Sequence, residues 1–289
     1  MSRTPAILAL AALAAAAVAA PPSETPSQSL TVVVMDPLAA PLSCPCVKGY
    51  AQRDYEQLGK HLEVALGRTV TVVFAESLVT ALEKKTDGKA DLVIGKRSVV
   101  AADAERSKRA MTPIAALTGK DGIATQTGLV VVPKDDPAKT VADLKGYRII
   151  FGAADCDEKH AAAIALLKKH NVPVPEKRET CAACSDGATT ILELGKDVRA
   201  ATVISSYAAP LLEGCGTIKK GDLRVVGTTE PVPFVTAFVS DSLPVSDRVA
   251  ITKALLAVKE KPTLLMAIET KGGFIPIPSE PAAKKKLTN

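Results

Sequence analysis

The apolar residues of this chain fall into two rhythms that take turns. Short, mostly apolar runs at residues 30–35, 69–74 and 91–94 have the length and β-branched content of buried strands. Between the first two, Tyr55, Leu58, Leu62 and Leu66 recur at helical spacing, which predicts a helix from about residue 50 to 66. Helices over 77–85 and 99–109 complete the first half. The second half repeats the theme, with strands at 129–132, 147–151, 200–204, 223–226 and 233–239. Its helices are a short one in TVADLKG stopped by Gly146, one from about 156 to 169 ended by Asn171 and Pro173, and others at 186–194, 247–259 and 263–268. Strands alternating with helices predict α/β units whose parallel sheets are covered on both faces. Two units of about 100 residues imply two lobes and a cleft, with the ligand crevice beyond the carboxyl ends of the strands.

The amino terminus departs from this pattern. Arg3 precedes an apolar run at 6–18 made almost wholly of Ala and Leu, and Ala17 and Ala19 fit a small-residue cleavage site. Residues 1–19 therefore read as a signal peptide, with an uncleaved anchor as the alternative, and 20–29 as a polar, Pro-rich leader. The run is shorter than the roughly 20 residues that span a bilayer, and no Cys follows it to carry a lipid. The expectation is an exported, periplasmic, soluble chain. Hydrophobic residues make up 47% of it, enough for a substantial core, but aromatics are 3% and Trp is absent, so that core rests on Val, Leu, Ile and Ala. So few aromatics argue against binding carbohydrate or single-stranded nucleic acid, both of which use stacking platforms. The net charge of +5 is interspersed, and the basic run 284–286 reads as a solvated terminus, so no nucleic-acid partner is expected. No G-x-S-x-G, H-E-x-x-H or phosphate-binding loop occurs, and the chain does not read as an enzyme.

Four segments carry a resemblance. They are ADLVIGKRSVV (90–100), TVADLKGYRIIFG (140–152), SDGATTILELGKDVRAATVISSYAAPLLE (185–213), and GDLRVVGTTEPVPFVTAFVS (221–240) leading to KGGFIPI (271–277). In order and spacing the chain resembles the phosphonate/phosphate-type periplasmic solute-binding proteins of ABC transporters, within the type II, transferrin-like fold. The resemblance implies two doubly wound α/β lobes joined by two hinge strands, lobe one being 30–118 with 229–289 and lobe two 119–228. It further implies a monomer that captures a small molecule or ion in the interlobe cleft, closes, and delivers it to a membrane ABC permease.

The same comparison exposes a departure. In the relatives the strand after DLKG leads into a Ser/Thr-rich loop that opens a helix and holds the ligand's anionic head. Here that stretch is AADCDEKH, with no Ser or Thr. Asp155 suits an N-cap, Glu158 three residues on completes a capping box, and Asp157 complements the helix dipole. Carboxylates at that helix end would repel a phosphonate. The chain has six cysteines, at 44, 46, 156, 181, 184 and 215. On the implied fold Cys44, Cys46, Cys156 and Cys184 border the cleft with Asp157, Glu158 and His160. A thiolate, carboxylate and imidazole set suits bound Cu(I) or Zn, with Cys44, Cys46, Cys156 and His160 as the metal candidates. Cys156, in a first helical turn, should have a lowered pKa. The competing reading is disulfides, since an even cysteine count outside the cytoplasm normally means pairing; the implied lobes hold four and two. Carry-over adds Lys96 and Ser98 at a strand end of lobe one, Ser185 in lobe two, and Tyr50, Tyr207 and Thr229 at loop or hinge positions. His61 and His170, flanked by Lys, read as surface residues. The alternative function is a periplasmic thiol-redox or soft-metal accessory protein on the same fold, using Cys181-x-x-Cys184 or Cys44-x-Cys46. Against it, the C-x-x-C follows the charged, Pro-containing 172–180 and is expected to lack a strand-then-helix context. A sensor or a dehydrogenase accessory protein would need the same binding chemistry without a transporter.

Overall fold

A computed structural model describes residues 29–43, 51–195 and 197–277. The expected signal peptide lies outside these residues, as does the leader apart from Ser29, which opens the first strand. The first part of the chain runs β1 (Ser29–Met35), α1 (Tyr55–Leu66), β2 (Thr69–Phe74), α2 (Leu78–Lys84), β3 (Leu92–Lys96), α3 (Arg97–Arg106) and β4 (Met111–Leu117). The middle runs β5 (Thr125–Gln126), β6 (Gly128–Pro133), β7 (Arg148–Gly152), α4 (Ala161–Lys169), β8 (Glu179–Cys181), α5 (Cys184–Glu193), β9 (Ala200–Ser205), α6 (Ala208–Gly214) and β10 (Leu223–Thr228). The chain then returns through β11 (Val232–Pro233), β12 (Val235–Ser240), α7 (Val245–Leu256), α8 (Pro262–Ala267) and β13 (Phe274–Pro276).

Two sheets result, each the centre of a lobe. One has the order β13-β4-β12-β3-β1-β2 and the other β10-β6-β9-β7-β8. Alternation along each strand covers both faces. In β1, Val32 and Val34 face Tyr55, Leu58 and Leu62 of α1, while Val33 and Met35 face Leu78 of α2 and Val100 of α3. In the second sheet, Phe151 and Val132 pack with Leu167 of α4, and Ile150 and Val131 with Ile191 of α5. Burying side chains of this size is worth about 1.5–3 kcal/mol each, and it fixes where the strand ends point.

The sheets are mixed rather than parallel. β1 runs parallel to β2 and β3, and β7 parallel to β8 and β9, but β12 inserts antiparallel between β3 and β4. The physical reason is the double crossing between lobes: β12 re-enters the first sheet from the far lobe and so runs the other way. The two crossings pair as β5 and β11, with Gln126 opposite Val232. Beyond them Gly128 N–H donates to Thr229 Oγ1 at 2.7 Å, and Thr229 N–H to the Gly128 carbonyl at 2.9 Å. Among the described residues no helix is long and apolar enough to cross a membrane.

Several boundaries differ from the sequence reading. α1 starts at Tyr55, where the Asp54 carboxylate accepts from Gln57 N–H, and stops at Gly67 with φ 64°. The strand expected at 233–239 divides into β11 and β12, and β4, β5, β8, β13 and α6 were not anticipated. The helix expected from 156 begins only at Ala161.

Candidate functional site

The carboxyl end of β3 faces those of β7 and β9 across the cleft. Lys96 ends β3 and is buried; Ser98 lies in the first turn of α3. Opposite them, residues 153–160 fold as successive turns after β7. Two glycines allow this: a Cβ on Gly152 would lie 2.5 Å from the Lys159 Cβ, and one on Gly128 only 2.0 Å from the Glu158 carbonyl oxygen. The turns can therefore lie flat on the strands that carry them.

This packing drives Glu158 into the lobe interface, where it is 0% exposed. Lys96 Nζ donates to Glu158 Oε1 at 2.5 Å, and Ser205 Oγ, at the end of β9, donates to the same oxygen at 2.6 Å. Glu158 Oε2 is buried with no partner. Lys96 Nζ also lies 3.5 Å from Cys156 Sγ. Burial works against the Lys96 charge, but Glu158 and then Cys156 more than offset it and raise its pKa. Two further contacts cross the cleft: Asp157 N–H donates to Ser98 Oγ at 3.3 Å, and Arg106 pairs with Asp155 at 2.8 Å.

The sequence reading needs three corrections here. Asp155 and Glu158 form no capping box, because α4 starts later with His160 at its cap and no side-chain hydrogen bond there. The acids instead serve cross-lobe pairs. The Cys156 thiol is pushed up, not down: burial dominates, and the Lys96 and Lys159 ammoniums offset it only in part. His160 turns its Nδ1 to the Gly152 carbonyl at 2.9 Å, with its ring 5.7 Å from that of Phe151, and is not among the residues that line the cavity. The C-x-x-C does have a strand-then-helix context, since Cys181 ends β8 and Cys184 begins α5.

The remaining predicted residues divide. Cys184 and Ser185 line the cleft at the start of α5, where Ser205 N–H lies 3.4 Å from Cys184 Sγ. Tyr207 stacks on Phe234 at 5.2 Å, with Arg53 over the far ring, so it closes the cleft and caps the core at once. Thr229 sits at the hinge. Cys44, Cys46 and Tyr50 lie outside the described residues. Cys156, Cys181, Cys184 and Cys215 are all free, so the pairing expected within lobe two is not formed. Among the described residues no three His, Cys, Asp or Glu side chains group as a metal site.

Sequence reasoning missed two residues here. Ser205 was passed over as a strand end. Lys159 is only 4% exposed and lines the cleft, and its ammonium makes no hydrogen bond or ion pair among the described residues. Burial opposes its charge, yet the Cys184 and Cys156 sulfurs outweigh that and raise its pKa. The run DCDEKH held the only signal, and its acids drew attention away from its cation.

Lys96 and Arg106 from one lobe, and Cys156, Lys159, Cys184, Ser185 and Tyr207 from the other, line a cavity of about 630 Å³, with the buried Glu158 pair beside it. A larger depression of about 730 Å³ beside α7 is lined by the first lobe alone, so filling it would not couple to lobe closure. Two lobes, paired crossings and a cleft at the strand ends are the features of a type II periplasmic binding protein. The sequence agrees: residues 49–280 match the family described as ABC transporter, phosphonate, periplasmic substrate-binding protein. The chain belongs to this family. As a phosphonate-type substrate-binding protein it is the extracytoplasmic binding component of a transporter and not an enzyme.

Solved structures agree on the fold of this family member. It is similar to a Xanthomonas citri protein bound to ATP, at 15% identity over 88% of this chain and 92% of that one, with a TM-score of 0.63. PhnD1 from Prochlorococcus marinus, in complex with methylphosphonate, matches at 14% identity over 87% and 93%, TM-score 0.61. The periplasmic aliphatic sulphonate binding protein SsuA from Escherichia coli matches at 14% over 88% and 82%, TM-score 0.58. No curated protein matches by sequence.

Proposed function

We propose that the chain, exported and freed of residues 1–19, works as a monomer that captures a small solute in the interlobe cleft and delivers it to a membrane ABC permease. The lobes divide as 30–118 with 229–289 and 119–228. The observation that carries the reading is the convergence of strand ends from both sheets on one cavity of about 630 Å³, inside the roughly 300–1,000 Å³ usual for small-ligand sites. Lys96 lines it from one lobe, and Cys156, Lys159, Cys184, Ser185 and Tyr207 from the other; Ser98, Asp157 and Glu158 join the lobes beside it, and Thr229 holds the hinge. A solute touching both lobes favours the closed state by the difference in its affinity for closed and open forms, which is the signal a permease can read.

Free thiols give a second reading some support. Cys156, Cys184 and Cys215 all line this cavity, and Cys181-x-x-Cys184 joins a strand to a helix. A soft-metal or thiol-redox accessory role would use them. Native mass spectrometry of the protein taken from its own periplasm, with thiol counting, separates the two. A small-molecule adduct that is lost in Tyr207→Ala supports solute capture. A retained soft metal with fewer countable thiols favours the second reading. No adduct on the protein from its own periplasm, and none after incubation with periplasmic extract, overturns the first.

A further inference from the structure

Ligand-driven closure requires something that both lobes grip. In this structure the lobe interface beside the cleft already holds such an object, and it belongs to the chain. The Glu158 carboxylate, which projects from lobe two, takes the Lys96 ammonium of lobe one at 2.5 Å and the Ser205 hydroxyl of its own lobe at 2.6 Å, both on Oε1. It is fully excluded from solvent, and Oε2 is left buried without a partner. A residue retained only for stability has no reason to carry that unpaired oxygen, because a buried polar group left unmade is costly.

We infer that Glu158 is a built-in ligand: its carboxylate fills an anion position between Lys96 of one lobe and Ser205 of the other, so that the lobes close there without solute and a free anion enters that position only when the carboxylate is removed. The inference rests on the reading of the cleft as the solute site. Its surroundings support it. The backbone of Glu158 rests on Gly128, whose N–H is bonded to Thr229 across the hinge, so the placement of this carboxylate is tied to the hinge itself. The neighbouring cross-lobe contacts, Asp157 to Ser98 and Asp155 to Arg106, also join protein to protein with nothing between. The unpaired Lys159 ammonium lies elsewhere on the cavity wall and is left for the solute.

The test is to remove the carboxylate and offer it back. Small-angle scattering should show the wild-type protein closed without solute and unmoved by propionate. Glu158→Ala should open, then close again as propionate or inorganic phosphate is added. Calorimetry should find that Glu158→Ala binds these anions at least tenfold more tightly than wild type does. Adding Lys96→Met should abolish the gain, a comparison from which any binding at Lys159 cancels. A folded Glu158→Ala that keeps wild-type spacing and gains no anion binding overturns the proposal. If Glu158→Ala does not fold, Glu158→Gln keeps the shape and removes the charge; it should open yet bind no added anion, and unchanged spacing would again overturn it. A wild-type protein that is open without solute but still captures one in the cleft sinks this inference and leaves the proposed function standing.

Discussion

Replacing Lys96 with Met strips the cation from a carboxylate that water cannot reach. Glu158 is 0% exposed, and after the change its Oε1 keeps only the Ser205 hydroxyl at 2.6 Å. Removing one partner of a buried ion pair typically costs about 3–5 kcal/mol, because the other charge stays desolvated. Two escapes could lower that figure: the carboxyl can take up a proton, or the lobes can separate and rehydrate it. The cost read by urea unfolding is therefore expected at the lower end, about 3 kcal/mol, or roughly a hundredfold in the unfolding constant. A double-mutant cycle makes this specific. Lys96→Met with Glu158→Gln should recover most of the loss, since no uncompensated charge remains. Lys96→Met with Glu158→Leu should come close to wild type, as apolar replacements of buried pairs often do. The reasoning fails if Lys96→Met costs less than about 1 kcal/mol with lobe spacing unchanged. That result would mean the pair is hydrated in solution and behaves like an exposed one.

Three further outcomes follow from the same packing. Gly128→Ala places a Cβ 2.0 Å from the Glu158 carbonyl oxygen and should cost about 1–3 kcal/mol in thermal unfolding while widening the lobes; a neutral effect would show that the 153–160 turns are not seated on β6. Tyr55→Phe removes the 2.5 Å hydrogen bond to buried Asp36, which keeps Arg53 at 2.7 Å, and should cost about 1–3 kcal/mol with no change in lobe spacing. Cys156, whose pKa is raised chiefly by burial, should react with iodoacetamide at pH 8 at least tenfold more slowly than an ordinary thiol of pKa about 8.5. The sign for stability follows: the unfolded thiol ionises first, so this contribution is complete below about pH 8.5 and falls as pH rises toward the folded value. Rapid labelling of Cys156 at neutral pH would contradict its burial.

How much of the molecule could be read without coordinates depended on distance along the chain. The strands of 30–35 and 69–74 and the helix on Tyr55, Leu58 and Leu62 were legible because alternation and helical periodicity are local, and the buried faces of β1 and α1 follow them closely. The lobed α/β class and the family were legible from the order of four segments. The antiparallel entry of β12 was not, because strand direction within a sheet depends on where the chain has been and not on the strand's own residues.

The site shows the same division more sharply. The chain alone put an unusual acid and thiol cluster after β7, and Asp155, Cys156 and Glu158 all prove to lie at the lobe interface. Local rules then assigned those acids to capping α4, the nearest use a sequence can see. Tertiary structure decided otherwise, because Lys96, 62 residues away, and Ser205, 47 residues away, meet Glu158 in a space closed to water. A buried charge gains far more from an opposite charge than from the partial charge of a helix end. Burial also reversed the expectation for Cys156, since desolvation outweighs its neighbouring ammoniums. Sequence determined which groups are present and which segments carry them; only the folded chain, by excluding water at one point, decided which of those groups must face each other.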